Sequence, residues 1–376
     1  MNPTFAAGSD DVKRQLPRYA RVNTLLTTFA ELKRELRSSG HTLAPRPPRA
    51  KHGFRRTKPD KKQDGRKYRK DKHVRDLLVF CCKGKSDLSR VPAVRDGRLV
   101  IQQKASCFPG LALAPPPGAV VLDACAAPGS KTSHLAALMR NEGQLLALDR
   151  SAQRVMTMER LLRQRGITCA RALHRDFNTV DSAAMPFSAV THILLDPSCS
   201  TSGASTAPHT DDTALTELAA NQFAVLKHAM KFPKCQVIVY STCSVYDREN
   251  EHVVARALAW ARNRVAKEGA QGWKLAHALP QWPRRGKECG DGDGISLTAT
   301  EAACCVRSDQ HKDETIGFFV AKFVAVDRSD VQTKSSTRED SDRNTSPVID
   351  GQAASGLAGT ADMALPPPRH SKKRKF

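Results

Sequence analysis

Short apolar runs alternate with amphipathic stretches through most of this chain. The run around Val120, Val121 and Leu122 is apolar and β-branched, the mark of a parallel strand covered on both faces. Asp123 and Cys125 end it, Pro128-Gly129-Ser130 marks a turn, and Ser133, Leu135, Ala136 and Leu138 fit a helix folded back on the sheet. QLLALDR then predicts a second strand ending at Asp149, followed by a helix capped by Ser151 and closed by Gly166. RALHRDF, with Asp176 at its end, THILLDPSCS, CQVIVYSTCS, the weaker WKLAHAL and IGFFVAKFVAV complete seven strands. Helices are expected around TELAANQFAVLKHAMKF and over 249–266. This alternation predicts an α/β fold with a mostly parallel seven-stranded sheet.

Ahead of it, PRYARVNTL alternates like a strand, and TTFAELKRELRSSG reads as a helix closed by Gly40, with Leu25, Phe29, Leu32 and Leu36 on one face. Strands are expected at DLLVF and RLVIQQ, and ALAPPPG reads as a stop before the central sheet. The pattern predicts a small α+β, RRM-like subdomain over 1–105, a larger α/β domain over 106–325 and a disordered tail over 326–376. Residues 44–74 break the pattern. Eleven Lys/Arg and three Asp fall between Lys51 and Lys72, with too little apolar surface to offset ordering entropy. They are expected to form a flexible insertion.

Composition narrows the partners. The 376 residues carry a formal net charge of +22, which favours a polyanion, with RNA first among candidates. No run of 18 apolar residues predicts a membrane span, and no apolar leader marks the start. Eleven cysteines with no C-x-x-C pair fit neither a zinc ribbon nor a disulfide framework, so no metal site is expected. The terminal RHSKKRKF reads either as a nuclear-import signal or as a solubilising end.

Asp123, Asp149, Asp176, Asp196 and Cys243 each lie at or near the carboxyl end of a predicted strand, the edge where open α/β sheets bind ligands. The sequence lacks GxGxxG, which disfavours a nicotinamide dinucleotide. Asp149 suits the ribose hydroxyls of a nucleoside-bearing cofactor. Cys199 in DPSCSTSG and Cys243 in YSTCS reach the same crevice, where a thiolate near Lys131 has the properties of a nucleophile. Thiolate attack on carbon 6 of a pyrimidine makes carbon 5 reactive toward a methyl donor. An acid near N3 assists the attack, and a base must later remove the carbon-5 proton.

VLDACAAPGSKTSHLAALM, ILLDPSCSTSG and YSTCSVYDRENEHVV resemble the motifs of the Nop2/Sun (NSUN) RNA cytosine-5 methyltransferases. PRYARVNTL, LVIQQKASCFPGLALAPPPG and DETIGFFVAKF add similarity to their eukaryotic large-subunit rRNA branch. The resemblance implies a class I, Rossmann-like fold, S-adenosyl-L-methionine as cofactor, and large-subunit rRNA or a pre-ribosome as partner. It implies a nucleolar monomer forming 5-methylcytosine. The alternatives are a tRNA cytosine methyltransferase and a non-catalytic assembly factor. It assigns Cys243 as nucleophile, Cys199 to resolution of the adduct, Asp196 to the target base and Lys131 to holding both. Cys125, Ala126, Ala127, Pro128, Gly129, Ser130 and Lys131 are expected around the cofactor's methionine part. Asp149 is expected on the ribose, with Arg154 supporting it, and Asp176 near the adenine, while Asp196 borders the cofactor too. Two departures stand out. Thr201 replaces a glycine of the usual PSCSGSG, and little chain precedes the RVNTL strand, where that branch carries a helical region.

Overall fold

The computed structural model describes residues 16–44, 66–80, 88–204, 211–290 and 294–326. A small sheet comes first. It comprises β1 (Arg18–Val22), β2 (Thr42–Leu43), β3 (Lys67–Lys70), β4 (Leu77–Phe80) and β5 (Leu99–Ile101), in the order β2-β3-β4-β1-β5. Helix α1 (Phe29–Ser38) covers it, started by a capping box in which Thr28 and Glu31 satisfy each other's backbone N–H groups. Leu32 and Leu36 are fully buried on its inner face, each contributing about 1.5–3 kcal/mol. Leu25, expected on that face, precedes the helix and packs into a different apolar layer. A short helix, α2 (Pro92–Arg95), leads into β5.

Lys67–Lys70, expected to be flexible, is instead β3. It is ordered because Tyr68 is buried against Phe80 and the strand pairs with β4. Residues 71–74 of the same stretch are also ordered, with Asp71 and Val74 buried, while 45–65 lies outside the described residues, as does the expected tail beyond Val326.

The large sheet contains β6 (Val120–Asp123), β7 (Gln144–Asp149), β8 (Ala170–His174), β9 (His192–Leu195), β10 (Val237–Thr242), β11 (Gly272–Ala276), β14 (Val306–Ser308) and β15 (Phe318–Val326). Strands β10-β9-β6-β7-β8 pair in parallel, and β15 joins β10 antiparallel, with β11 beyond it. The sheet has eight strands among the described residues rather than the seven expected, because β14 also pairs with β15. Three residues are too few to carry a readable period. A small hairpin of β12 (Cys289–Gly290) and β13 (Ser296–Leu297) lies off the sheet.

Alternate strand residues enter two different apolar layers. Leu146, Leu148, Ile193, Leu195 and Ile238 pack under α6 (Asp212–Ala229) and α7 (Glu251–Glu268). Leu145, Ala147, Leu194 and Val239 pack under α3 (Lys104–Leu113), α4 (Ser130–Leu138) and α5 (Ala152–Gln164). Burial on both faces explains the continuous apolar runs. A last short helix, α8 (Ala299–Ala302), precedes β14.

Helix α3 occupies a stretch for which the sequence pattern predicted no element. Pro109 and Gly110 sit inside it, and both residues ordinarily argue against a helix interior. Here packing overrides propensity. A Cβ on Gly110 would lie 2.8 Å from His134 Nδ1, so the glycine permits close approach of α3 to α4. Tyr19, Leu77 and Val79 of the small sheet share the layer formed by α3 and α4. The boundary drawn at residue 105 therefore crosses a continuous core.

Candidate active site

Strands β6, β7, β9 and β10 end together, and the polar residues after them converge as the motif spacing predicts. Cys199 Sγ lies 3.3 Å from Cys243 Sγ. Beside them, Lys131 Nζ donates to Asp196 Oδ2 at 2.6 Å, and Ser241 Oγ donates to Asp196 Oδ1 at 2.7 Å. Both carboxylate oxygens are thus fixed in direction.

Electrostatics separate the two thiols. The hydrogen bond with Cys199 lowers the Cys243 thiol below its ordinary value, and Lys131 adds to this against the opposing effect of burial. Cys199 is pushed the other way, first by that same bond and then by burial. Asp196 opposes the shift along with burial, yet of the two thiols it is Cys243 that gives up its proton first. Burial pulls Lys131 down, but Asp196 outweighs it and keeps the ammonium charged.

The loop carrying Cys199 is held from below by groups that no motif reading singled out. Buried Glu249 accepts from Ser200 N at 3.0 Å, Ser200 Oγ at 2.5 Å and Gln222 Nε2 at 2.8 Å. Gln222 also donates to the Ser198 carbonyl, and the Tyr240 hydroxyl donates to the carbonyl of Glu249. Gly203 N donates to the Cys243 carbonyl at 2.9 Å, and Gly317 N donates to the Gly203 carbonyl at 2.9 Å. A Cβ on Gly203 would lie 2.2 Å from Gly317 O, so the backbones touch. Arg307 anchors the turn after Cys243 through Glu251, Asp247 and the Val245 carbonyl. Of these groups, Gln222 and Arg307 lie outside the family motifs quoted from the sequence, and the supporting residues inside those motifs carry no role there.

Thr201 adopts φ +55°, the left-handed region expected of the glycine it replaces. A β-branched residue is rarely found there.

The turn after β6 fits a nucleoside-bearing cofactor. Gly129 starts α4 at φ +94°, and no side chain caps the helix, so its first N–H groups are open to an anion. A Cβ on Gly129 would sit 3.0 Å from Met158 Cγ. Cys125, Ala126, Ala127, Pro128, Ser130 and Lys131 run along this turn, and the Cys125 thiol is pushed up by burial. Asp149 ends β7, accepting from Ser151 N at 3.0 Å and pairing with Arg154 at 3.3 Å. Arg154 also donates to the Ala127 carbonyl, tying the two cofactor-side turns together. Asp176 lies two residues past β8, exposed, accepting from Asn178 N at 2.9 Å. Asp123 is fully buried beneath the turn, where Thr132 Oγ1 donates to it at 2.8 Å. Burial raises its carboxyl to about 7.

The small sheet reaches this turn through one buried side chain. Arg21 of β1 is 1 % exposed and donates to Gln102 Oε1 at 2.9 Å and to Ser133 Oγ of α4 at 2.8 Å. Burial pulls its guanidinium down to about 10. An alternating strand pattern gives no sign that one polar position faces inward. Asp71 and Lys104 form a second buried link, 2.9 Å apart. Among the described residues, no cluster of three or more His, Cys, Asp or Glu side chains is arranged to hold a metal. No described helix is long and apolar enough to cross a membrane.

A doubly wound sheet with a nucleoside-type turn at one edge and an acid-flanked thiol pair beside it defines a Rossmann-like methyltransferase with its cofactor S-adenosyl-L-methionine. Residues 110–324 match the family described as 16S rRNA methyltransferase RsmB/F, to which the chain belongs. Residues 16–102 match the ferredoxin-like domain of NOL1/NOP2/Sun domain family member 5. The chain is 37 % identical over 316 residues to a mouse 28S rRNA (cytosine-C(5))-methyltransferase, covering 82 % of this chain and 62 % of that protein. It is 36 % identical to the Caenorhabditis elegans 26S rRNA (cytosine-C(5))-methyltransferase nsun-5, covering 85 % and 70 %. It thus spans about three fifths of the mouse relative's length. Among solved structures, NSun6 from Pyrococcus horikoshii with SFG superposes with TM-score 0.62 at 19 % identity, covering 83 % of this chain and 91 % of that one. A methyltransferase homologue from the same organism gives TM-score 0.62 at 25 % identity, covering 84 % and 88 %.

Proposed function

We propose that this protein methylates carbon 5 of a cytosine in large-subunit rRNA through a covalent adduct on Cys243, acting as a monomer in the nucleolus. The observation that carries this is the thiol pair, 3.3 Å apart and divided in acidity, beside the fixed Asp196 carboxylate. The target cytosine must leave its stack to reach these groups. S-adenosyl-L-methionine supplies the methyl group as an electrophile, held by the 125–131 turn and Asp149 with Arg154, near Asp176.

Cys243 attacks carbon 6 as a thiolate, and Asp196, oriented by Lys131 and Ser241, engages the N3 edge of the base. Bond formation removes the charge on Cys243. The hydrogen bond to that thiolate is the first cause that holds Cys199 protonated, with burial second, so Cys199 releases its proton to solvent more readily once the adduct exists. It is then suited to accept the carbon-5 proton, and loss of that proton expels Cys243. The order of the two roles follows from which thiol gives up its proton first.

Two measurements test this. Cys199→Ala incubated with rRNA and cofactor accumulates a protein–RNA adduct on a denaturing gel, and Cys243→Ala does not. The reverse pattern exchanges the roles. Bisulfite sequencing of rRNA from cells lacking the chain loses one methylated cytosine. Full retention of every site refutes the substrate.

A further inference from the structure

A second basic site lies beyond the thiol pair, on the face of the sheet covered by α6 and α7. A groove of about 470 Å³ opens between these helices and the β12–β13 hairpin. Arg248, His252 and Arg256 line it at four-residue intervals, and Thr216 faces them from α6. No carboxylate lines it among the described residues. His252 and Arg256 stand one turn, about 6 Å, apart along α7, and Arg248 precedes them in a 3-10 turn over Asp247–Glu249. Arg248 follows Cys243 by five residues, so the groove begins beside the catalytic edge and runs away from it along α7.

The charges are available. The Arg248 partner is Asp212, at 3.3 Å, but that carboxylate is 88 % exposed and competes weakly. Arg248 also donates to Thr216 Oγ1 and to the Asp212 carbonyl. Arg256 is exposed and lies 4.5 Å from the Phe223 ring centroid, which Lys227 also approaches at 4.5 Å. Arg256 thus brings to the groove a cation that shares the Phe223 ring with Lys227.

We infer that this groove binds the phosphodiester backbone of the single-stranded RNA flanking the target cytosine. The inference rests on the proposed RNA substrate and adds where the strand leaves the catalytic edge. A row of basic groups, with no carboxylate among the described lining residues, matches a repeating anion. Phosphate contacts of this kind are read by salt dependence rather than by sequence.

The test is the salt dependence of binding to a 20-nucleotide single-stranded RNA. Each lost phosphate contact lowers the slope of log affinity against log salt by about 0.7. Arg248→Ala/Arg256→Ala is expected to lower it by about 1.4 and to weaken binding about 25-fold at 0.1 M salt, with cofactor binding by calorimetry unchanged. Arg256→Ala alone, at an exposed position, lowers it by about 0.7 and serves if the double variant does not fold. Arg262→Ala/Arg264→Ala removes the same charge farther along α7, where both arginines pair with glutamates. An unchanged slope in the groove variants, or an equal drop in the distal pair, overturns the inference while leaving the RNA substrate standing. Absence of salt-dependent RNA binding by the unaltered protein overturns both.

Discussion

Removing Cys199 isolates what its hydrogen bond does for Cys243. In Cys199→Ala the thiolate at 243 loses its sulfur partner at 3.3 Å but keeps Lys131 nearby. A hydrogen bond of this kind has a net worth of about 0.5–1.5 kcal/mol. At about 1.4 kcal/mol per pH unit, the Cys243 thiol should rise by about 0.4 to 1.1 units. The assay is the pH dependence of alkylation by isotopically coded iodoacetamide, read by mass spectrometry on the peptide that contains residue 243. This separates it from the other cysteines. The midpoint should move to higher pH in the variant, and adduct formation with rRNA should need correspondingly higher pH. A midpoint that stays fixed or falls would show that Lys131 alone sets the charge, and the division of labour between the thiols would lose its physical basis.

Other consequences are as direct. Thr201→Gly relieves a left-handed φ that costs a non-glycine residue about 1–2 kcal/mol, partly offset by the greater freedom of glycine when unfolded. Urea denaturation should show a gain of about 0.5–1 kcal/mol with the thiol reactivity retained, and a loss of stability would refute the strain. Burial of Asp123 moves its carboxyl from 3.8 to about 7, so the folded state holds a proton that the unfolded state has released. Stability is therefore lost as pH rises from about 4 toward 7 and stays low above that. Asp123→Asn cannot lose that proton, so its stability relative to the natural chain should improve by about 3–4 kcal/mol between pH 4 and 8; a pH-independent difference refutes the assignment. Lys104→Met leaves Asp71 buried without its ammonium partner, and thermal unfolding should register a loss of about 3–5 kcal/mol. An unfolding temperature like that of the natural chain would refute a charged pair.

The thiol pair was legible because DPSC and STC each follow an apolar run, and neighbouring parallel strands deliver their ends to one edge. The small sheet was partly legible. β1, α1 and β4 have clear periods, but β3 sits inside a lysine-rich stretch where Tyr68 alone signals burial. Helix α3 was hidden by Pro109 and Gly110, whose tolerance depends on α4, a partner far along the chain. Arg21 and Glu249 were invisible for a related reason. A buried charge is revealed by the groups that satisfy it, and those come from distant segments. Thr201 was the reverse case, since the glycine expected there pointed to a left-handed backbone, and the backbone keeps that shape despite the side chain.

Main-chain bonds run from the carbonyl after β10 through Gly203 to Gly317. The spacing between the backbone that carries Cys199 and the backbone that carries Cys243 is therefore set by peptide groups. For the proposed substrate, the two loops form a pair of fixed mounts, and adaptive motion has to come from the guest or from the side chains. Tuning this protein toward a bulkier base would mean rebuilding that frame, since trimming side chains would leave its span unchanged.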